Sequence, residues 1–273
     1  MLDAADERGG CPFGLARELD GVQAGQQLAE QGNELDPGQR RAQAVMRAEP
    51  AQAHPFQQRG GLLVELTLPP LSESISSSSG CPGGEASELT LAHWERVIDV
   101  NLRGVLHGVH AAYPVMIAQR SGHIVNTASI AGLVPAPWLT PYAMTKHAVV
   151  GLSLSLCAEA AVHGVRVTAV CPGVVDTPML DTAGPDDLPT TVLSGQVREF
   201  FRHVQPRFYA ADQLAQDIIR GIDRNAALVI APASARVAYY LWRYTPFAVN
   251  RMKARLLARS RAALPGHETA RLT

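Results

Sequence analysis

The chain has 273 residues, with 24 basic and 25 acidic side chains and a formal net charge of −1. That is enough for one ordinary α/β domain or two small ones, and for a full core without disulfide or metal staples. With 47% hydrophobic and 18% charged residues the composition is that of a globular protein, and the near-neutral balance argues against nucleic-acid partners held by phosphate neutralisation.

Residues 1–82 read differently from the rest. Nine of the fourteen Gln fall in the first sixty positions, and Phe13 and Phe56 are the only aromatics in the first ninety, so this segment has little with which to build a core. Its best apolar stretch, Leu62 to Leu68 (LLVELTL), predicts a strand. Pro69, Pro70 and the run SESISSSSG follow, and predict a flexible connection. From Thr90 the pattern becomes regular alternation. Thr90 can cap a helix beginning LAHWERVIDVNL, with Trp94, Val97 and Ile98 on one face, and a second helix is predicted from Gly104 to Gln119. His123 to Ala128 (HIVNTA) predicts a strand. A helix from Tyr142 to Val162 follows, ended by Gly164 as a left-handed cap. Val165 to Val170, Gln213 to Asn225 and Ala227 to Ile230 then predict strand, helix and strand. Strands separated by helices imply right-handed βαβ crossovers and a parallel sheet with helices on both faces. Residues 83–232 form the regular region and 233–273 a basic, aromatic helical extension.

Two further features bound the chemistry. Cys11, Cys81, Cys157 and Cys171 are far apart, with no CxxC pair and no histidine at ligand spacing. Neither a metal site nor a disulfide framework is signalled, and a reducing cytoplasm is expected. Residues 1–10 lack the pattern of a secretory signal and no apolar run of about 18 residues occurs, so a cytoplasmic location is expected.

Tyr142 and Lys146 (YAMTK) stand one helical turn apart, so both side chains lie on one face. Alone, such a pair is more often an exposed Tyr stacked on a Lys stem. Three companions weigh against that: Ser129 ends the preceding strand, at the sheet edge where open α/β folds bind ligands; Asn101 closes ERVIDVNLRGV; and Pro172, Gly173 and Thr177 follow the next strand in CPGVVDTPM. Asn101 capping a helix end and Ser129 satisfying a strand-end amide are the plainer alternatives. Trp138 divides evenly between a pocket wall and a loop anchor, and His147 points away from the Tyr142 face.

WERVIDVNLRGV, GHIVNTASIAG, PYAMTKHAVVGLSLSL and VRVTAVCPGVVDTP, in that order and spacing, resemble the classical short-chain dehydrogenase/reductase family over residues 83 to 232. The resemblance implies a Rossmann-like doubly wound parallel sheet and hydride transfer between NAD or NADP and an alcohol, ketone or aldehyde. Tyr142 would be the general acid/base. A phenol with a pKa of about 10 is a poor base at neutral pH, and the Lys146 ammonium would favour its anion. Lys146 would also hold the nicotinamide ribose, Ser129 the substrate oxygen, and Asn101 a water relaying protons from Lys146. Tyr142, Lys146, Pro172, Gly173, Val175 and Thr177 would border the cofactor. The family also implies a homo-oligomer formed through helices.

The N-terminal nucleotide-binding half is atypical or incomplete. No TGxxxGxG turn follows a strand, Gly21 and Gly25 lack the preceding Thr and strand, and SSSG at Ser77 to Gly80 stands where NNAG is expected. This motivates reading the first eighty residues as a replaced or out-of-frame segment. It also leaves a second reading, a catalytically inactive remnant or interaction protein. Without the first strands, the sheet would expose an apolar edge. From Arg224 to Gly266 there are eight basic residues and no acidic ones, interleaved with aromatics. Such a segment can make weak contact with an anionic membrane surface. The favoured reading is a solvated basic face with Val237, Tyr240, Leu241 and Tyr244 packed on the domain or a second subunit.

Overall fold

Four strands build one parallel sheet in chain order: β1 (Leu63–Leu66), β2 (Gly122–Thr127), β3 (Val165–Pro172) and β4 (Leu228–Ala231). The computed structural model describes residues 63–66, 83–181, 187–191, 193–205 and 207–263. Ile124 sits between Val64 of β1 and Val167 of β3, and Val170 pairs with Val229 of β4. The strand expected at Leu62 to Leu68 is therefore present in its central four residues. By pairing with β2 it covers the sheet edge that the sequence left open. The connection expected at SESISSSSG, and Gly21 and Gly25, lie outside the described residues.

Helix α1 (Leu91–Ile98) begins where Thr90 was expected to cap it, and the box is closed by His93, whose Nδ1 accepts from the Thr90 backbone amide at 3.1 Å. A π-helical turn (Asp99–Arg103) carries the chain without interruption into α2 (Gly104–Gln119). Val105, Val109, Ala112 and Met116 recur every three or four residues along α2 and are buried, which is the apolar stripe that makes it a surface helix. Pro114 sits on the exposed side of α2, where water can satisfy the carbonyl that loses its partner. Helix α3 (Thr140–Ala161) buries Lys146, Val149, Val150, Ser153, Leu156, Cys157 and Ala160 on one face. Gly164 follows it at φ +72°. A Cβ there would lie 2.6 Å from the Arg120 carbonyl oxygen, so glycine serves both the left-handed turn and the close approach.

Alternation along the strands feeds two cores. Ile124, Val165, Val167 and Cys171 pack with α2 and α3, whereas Val125, Val170 and Val229 pack with Ile222 of α5 (Ala211–Asp223). Helices α3 and α5 thus lie on opposite faces, although β2 to β3 and β3 to β4 step in the same direction across the sheet. Two such connections have opposite hands, so the expectation of right-handed crossovers throughout is corrected. The long excursion from Pro172 to Leu228, which includes α4 (Val197–Val204), gives the chain room to change faces. Helices α6 (Ala233–Tyr244) and α7 (Pro246–Ala263) complete the described fold. Cys171 is a free, buried thiol.

Candidate active site

The candidate residues gather at the carboxyl edge of β2 and β3. Beyond Thr127 the Ala128 amide still donates to the Val170 carbonyl at 2.8 Å, and Ser129 then caps a 3₁₀ turn (Ile130–Gly132), its Oγ accepting from the Ala131 amide at 3.1 Å. The amide-satisfying role offered by the plainer alternative is thus real. A hydroxyl has a second lone pair and a proton, so the cap leaves bonding capacity on Ser129. A Cβ on Gly132 would lie 2.5 Å from the Lys146 carbonyl oxygen. Glycine is what lets the Ser129 turn rest against the helix that carries Lys146.

On α3, Lys146 Nζ lies 5.6 Å from the centroid of the Tyr142 ring and donates to the Thr127 carbonyl at 2.9 Å. Lys146 is only 9% exposed and Ser129 7%. A solvated Tyr–Lys pair would leave the ammonium in water, so this burial decides against the surface reading. The strand-end carbonyl instead fixes the ammonium beside the Tyr142 ring.

Asn101 falls within the π-helical turn, a deformation often found at functional sites. Its Nδ2 donates to Thr145 Oγ1 at 3.5 Å, and Thr145 Oγ1 donates to the Tyr142 carbonyl at 2.8 Å. Asn101 therefore reaches α3 through Thr145, which is completely buried and was missed in the sequence. Its signal was available: a threonine three residues after Tyr142 in a helix can bond back to that carbonyl. His147 is exposed and bonds through Nδ1 to the Ala143 carbonyl at 2.8 Å, away from the pair. Cys171 lies beneath the site. Burial pushes its thiol up to about 12, against smaller lowering effects of the Ser129 backbone and the Lys146 charge, so it is protonated and inert.

The strand β3 delivers Pro172 as its last residue, and Gly173 then donates to the Ala231 carbonyl at 2.7 Å. Val175 pairs with Tyr209 in a short parallel bridge. The side-chain amide of Gln205 mimics a strand, donating to the Val174 carbonyl at 2.8 Å and accepting from the Val174 amide at 3.2 Å. Arg198 on α4 grips the next residues, bonding both oxygens of Asp181 at 2.5 and 2.8 Å, Asp176 at 2.7 Å and the Thr177 carbonyl at 3.2 Å. The Arg198 guanidinium holds the Asp181 carboxyl below its ordinary range. Gln205 and Arg198 both went unremarked in the sequence, because partners 20 or 30 residues apart leave no local pattern.

Trp138 is 8% exposed and packs with Leu180, Leu193, Val197 and Phe200, its ring 5.4 Å from that of Phe200. Its φ of +66° is costly for a bulky side chain. The question left even in the sequence resolves toward an anchor: Trp138 ties the loop before α3 to α4. His93 is a further anchor missed in the sequence, completely enclosed, with Nε2 donating to the Pro189 carbonyl at 3.0 Å.

Residues 75–188 match the family model described as short chain dehydrogenase. This stretch, under half of the chain, is similar to the short-chain dehydrogenase/reductase family. A cyclohexanol dehydrogenase from Acinetobacter sp. (strain SE19) is 43% identical over 93 residues, 34% of this chain and 37% of that protein. A D-beta-hydroxybutyrate dehydrogenase from Rhizobium meliloti is 33% identical over 132 residues, 47% of this chain and 51% of that protein. The chain spans about half the length of the curated relatives it matches. Among solved structures, a short chain dehydrogenase/reductase from Burkholderia phymatum in complex with NAD aligns with a TM-score of 0.58 and 26% identity, covering 76% of this chain and 70% of that one. A short-chain dehydrogenase from Sphingobium yanoikuyae in complex with NADPH shares the fold at 20% identity and a TM-score of 0.53, over 81% and 70% of the two chains. The fold is thus the Rossmann-like α/β fold of short-chain dehydrogenases, with the YAMTK segment at the edge of its parallel sheet.

Proposed function

We propose that the chain is an NAD- or NADP-dependent oxidoreductase that interconverts an alcohol and a ketone or aldehyde, with Tyr142 as its general acid/base. The observation that carries this reading is the buried Lys146 ammonium, bonded to the Thr127 carbonyl at 2.9 Å and set 5.6 Å from the Tyr142 ring centroid. A cation held there stabilises negative charge on the phenol oxygen, which a group that accepts a proton from an alcohol needs. Ser129, on the turn packed against Lys146, would hold the substrate oxygen. Asn101, braced through Thr145, would hold the water that passes protons from Lys146 to solvent. The loop after β3 carries Val174 and Leu180 into an apolar cluster with Phe200 of α4, a surface suited to a partly apolar substrate.

The residues present fit the nicotinamide end of the cofactor. Tyr142 and Lys146 share a face, and Pro172 ends β3 and leads into a loop with Gly173, Val175 and Thr177 that the Tyr209 bridge, Gln205 and Arg198 brace. Lys146 would hold the ribose and the Val175–Thr177 segment the carboxamide. The nicotinamide, when bound, donates or accepts the hydride. No residue in the described part is assigned to the pyrophosphate. A homo-oligomer is also proposed. The outward sides of α2 and α3 carry Leu106, Val115 and Leu154, each 41% exposed, apolar area of the kind helix-mediated assembly covers.

Titration of the full chain with NADH and with NADPH tests the reading first. Saturable binding of either supports it, and Tyr142→Phe then keeps that binding while losing about 10²- to 10⁴-fold in kcat on a cyclic or secondary alcohol. A folded protein that binds neither nucleotide would overturn it in favour of an inactive remnant.

A further inference from the structure

Helices α6 and α7 were expected to bury Val237, Tyr240, Leu241 and Tyr244 against the domain or a second subunit. In the monomer they do not. These four are 58%, 54%, 54% and 77% exposed, and Phe247 is 90% exposed. The spacing i, i+3, i+4, i+7 lines the first four along one side of α6, an apolar stripe turned outward. Tyr240 and Tyr244 stack with centroids 6.3 Å apart, and Tyr239 lies 5.3 Å from Tyr240.

The surface is also built to stay in place. Lys253 of α7 donates to the Pro135 carbonyl, and Leu257 joins the cluster around Trp138. Helix α7 is thereby fixed to the loop ahead of α3 on one side, while Met252 and Leu256 remain 53% and 52% exposed on the other. Arg236, Arg243, Arg251 and Arg255 are exposed around the stripe, and no acidic residue occurs between Arg224 and Gly266.

That charge pattern selects the occupant. A two-fold contact with a second copy would place the same patch against itself, setting arginine against arginine with no acidic residue of α6 or α7 to pair them. A bilayer of anionic phospholipid offers what the patch lacks, a negative plane for the guanidinium groups and an interface where tyrosine rings are at home. No described helix is long and apolar enough to cross a membrane, so the contact would be peripheral. We propose that the α6–α7 face docks this protein on anionic phospholipid membrane surfaces.

Pelleting of the full-length protein with vesicles tests this, using phosphatidylcholine alone against phosphatidylcholine with about one-third phosphatidylglycerol. The expected result is at least about tenfold stronger partition onto the anionic vesicles, lost as salt rises from about 0.05 to about 0.5 M. Arg243→Gln and Arg251→Gln should each lower partition about fivefold, and Tyr244→Ser with Phe247→Ser about tenfold or more. The arginine variants carry the test alone if the serine pair melts early. Equal partition onto neutral vesicles, or none onto anionic ones, would sink the proposal. A mass by light scattering that halves in the serine pair would assign the surface to a second copy instead.

Discussion

The two sides of the candidate site are fastened by different physics. On the β2–α3 side, Lys146 is held by the Thr127 carbonyl, Thr145 by the Tyr142 carbonyl and the Ser129 turn by close contact of Gly132 with the helix backbone, all in buried or nearly buried surroundings. On the α4 side, the loop bearing Val175 and Thr177 is held by Arg198, whose partners Asp176 and Asp181 have side chains 60% and 57% exposed. Buried hydrogen bonds and backbone packing are indifferent to salt and leave no slack, whereas exposed ion pairs are screened and individually weak. The difference suits the division of labour proposed above. Groups that move a proton must stay within a fraction of an ångström, while a loop that covers a substrate must let it in and out.

The largest expected effect comes from pushing the rigid side apart. Gly132→Ala would put a methyl 2.5 Å from one backbone atom of Lys146 and 2.8 Å from another, with no flexible side chain to yield. It should cost about 3 kcal/mol, read from urea unfolding. Gly151→Ala, on the helix that Gly132 rests against, is the control, because a Cβ there meets nothing within 4 Å. That change should stabilise by about 0.8 kcal/mol through helix propensity alone. If both substitutions moved stability the same way, close packing would not be what fixes the Ser129 turn.

A smaller effect is expected on the other side. Arg198→Met removes the guanidinium, whose carbon lies 5.5 Å from the Phe208 ring centroid, and with it the three-way grip on Asp176, Thr177 and Asp181. Global stability should change little. Limited proteolysis between α4 and β3 should speed up about three- to tenfold, and high salt should bring the wild type toward the variant's rate. A wild-type rate unaffected by salt would mean that Gln205 and the Tyr209 bridge hold the loop by themselves.

This contrast also explains what the sequence could and could not show. Helices α1, α2, α3 and α5 and all four strands were legible within a few residues, because each writes its own period or terminator: the stripe Val105, Val109, Ala112, Met116, and Gly164 after α3. The Tyr142–Lys146 spacing and Ser129 at a strand end were legible for the same reason, since they depend on one helix and one strand. Arg198, Gln205, the bond of His93 to Pro189 and the bond of Thr145 from Asn101 were not, because these act between segments that only the folded chain brings near. The face occupied by α5 was also hidden, as no local pattern tells which side of a sheet a chain will return to after an excursion from Pro172 to Leu228. The α6 stripe was read as apolar and packed on the domain or a second subunit; on this chain alone it stays exposed. Periodicity reports that a face is hydrophobic, and says nothing about what lies against it.

The finest test of the contrast is acidity. Asp181 is held below the ordinary carboxylate range chiefly because Arg198 donates to its oxygens. A carboxyl depressed on folding contributes stability above its unfolded value of about 3.9, and loses that contribution as pH falls through the lower folded value. Asp181→Asn keeps an acceptor for Arg198 and removes the charge. The melting temperatures of wild type and Asp181→Asn should therefore differ by about 1 °C at neutral pH and stay apart by that amount down to about pH 5. Below about pH 4 they should converge. The gap should also shrink in high salt, as an exposed pair requires. A gap that persisted at low pH would come from hydrogen-bond geometry and not from charge, and the two sides of the site would then be fastened more alike than their burial suggests.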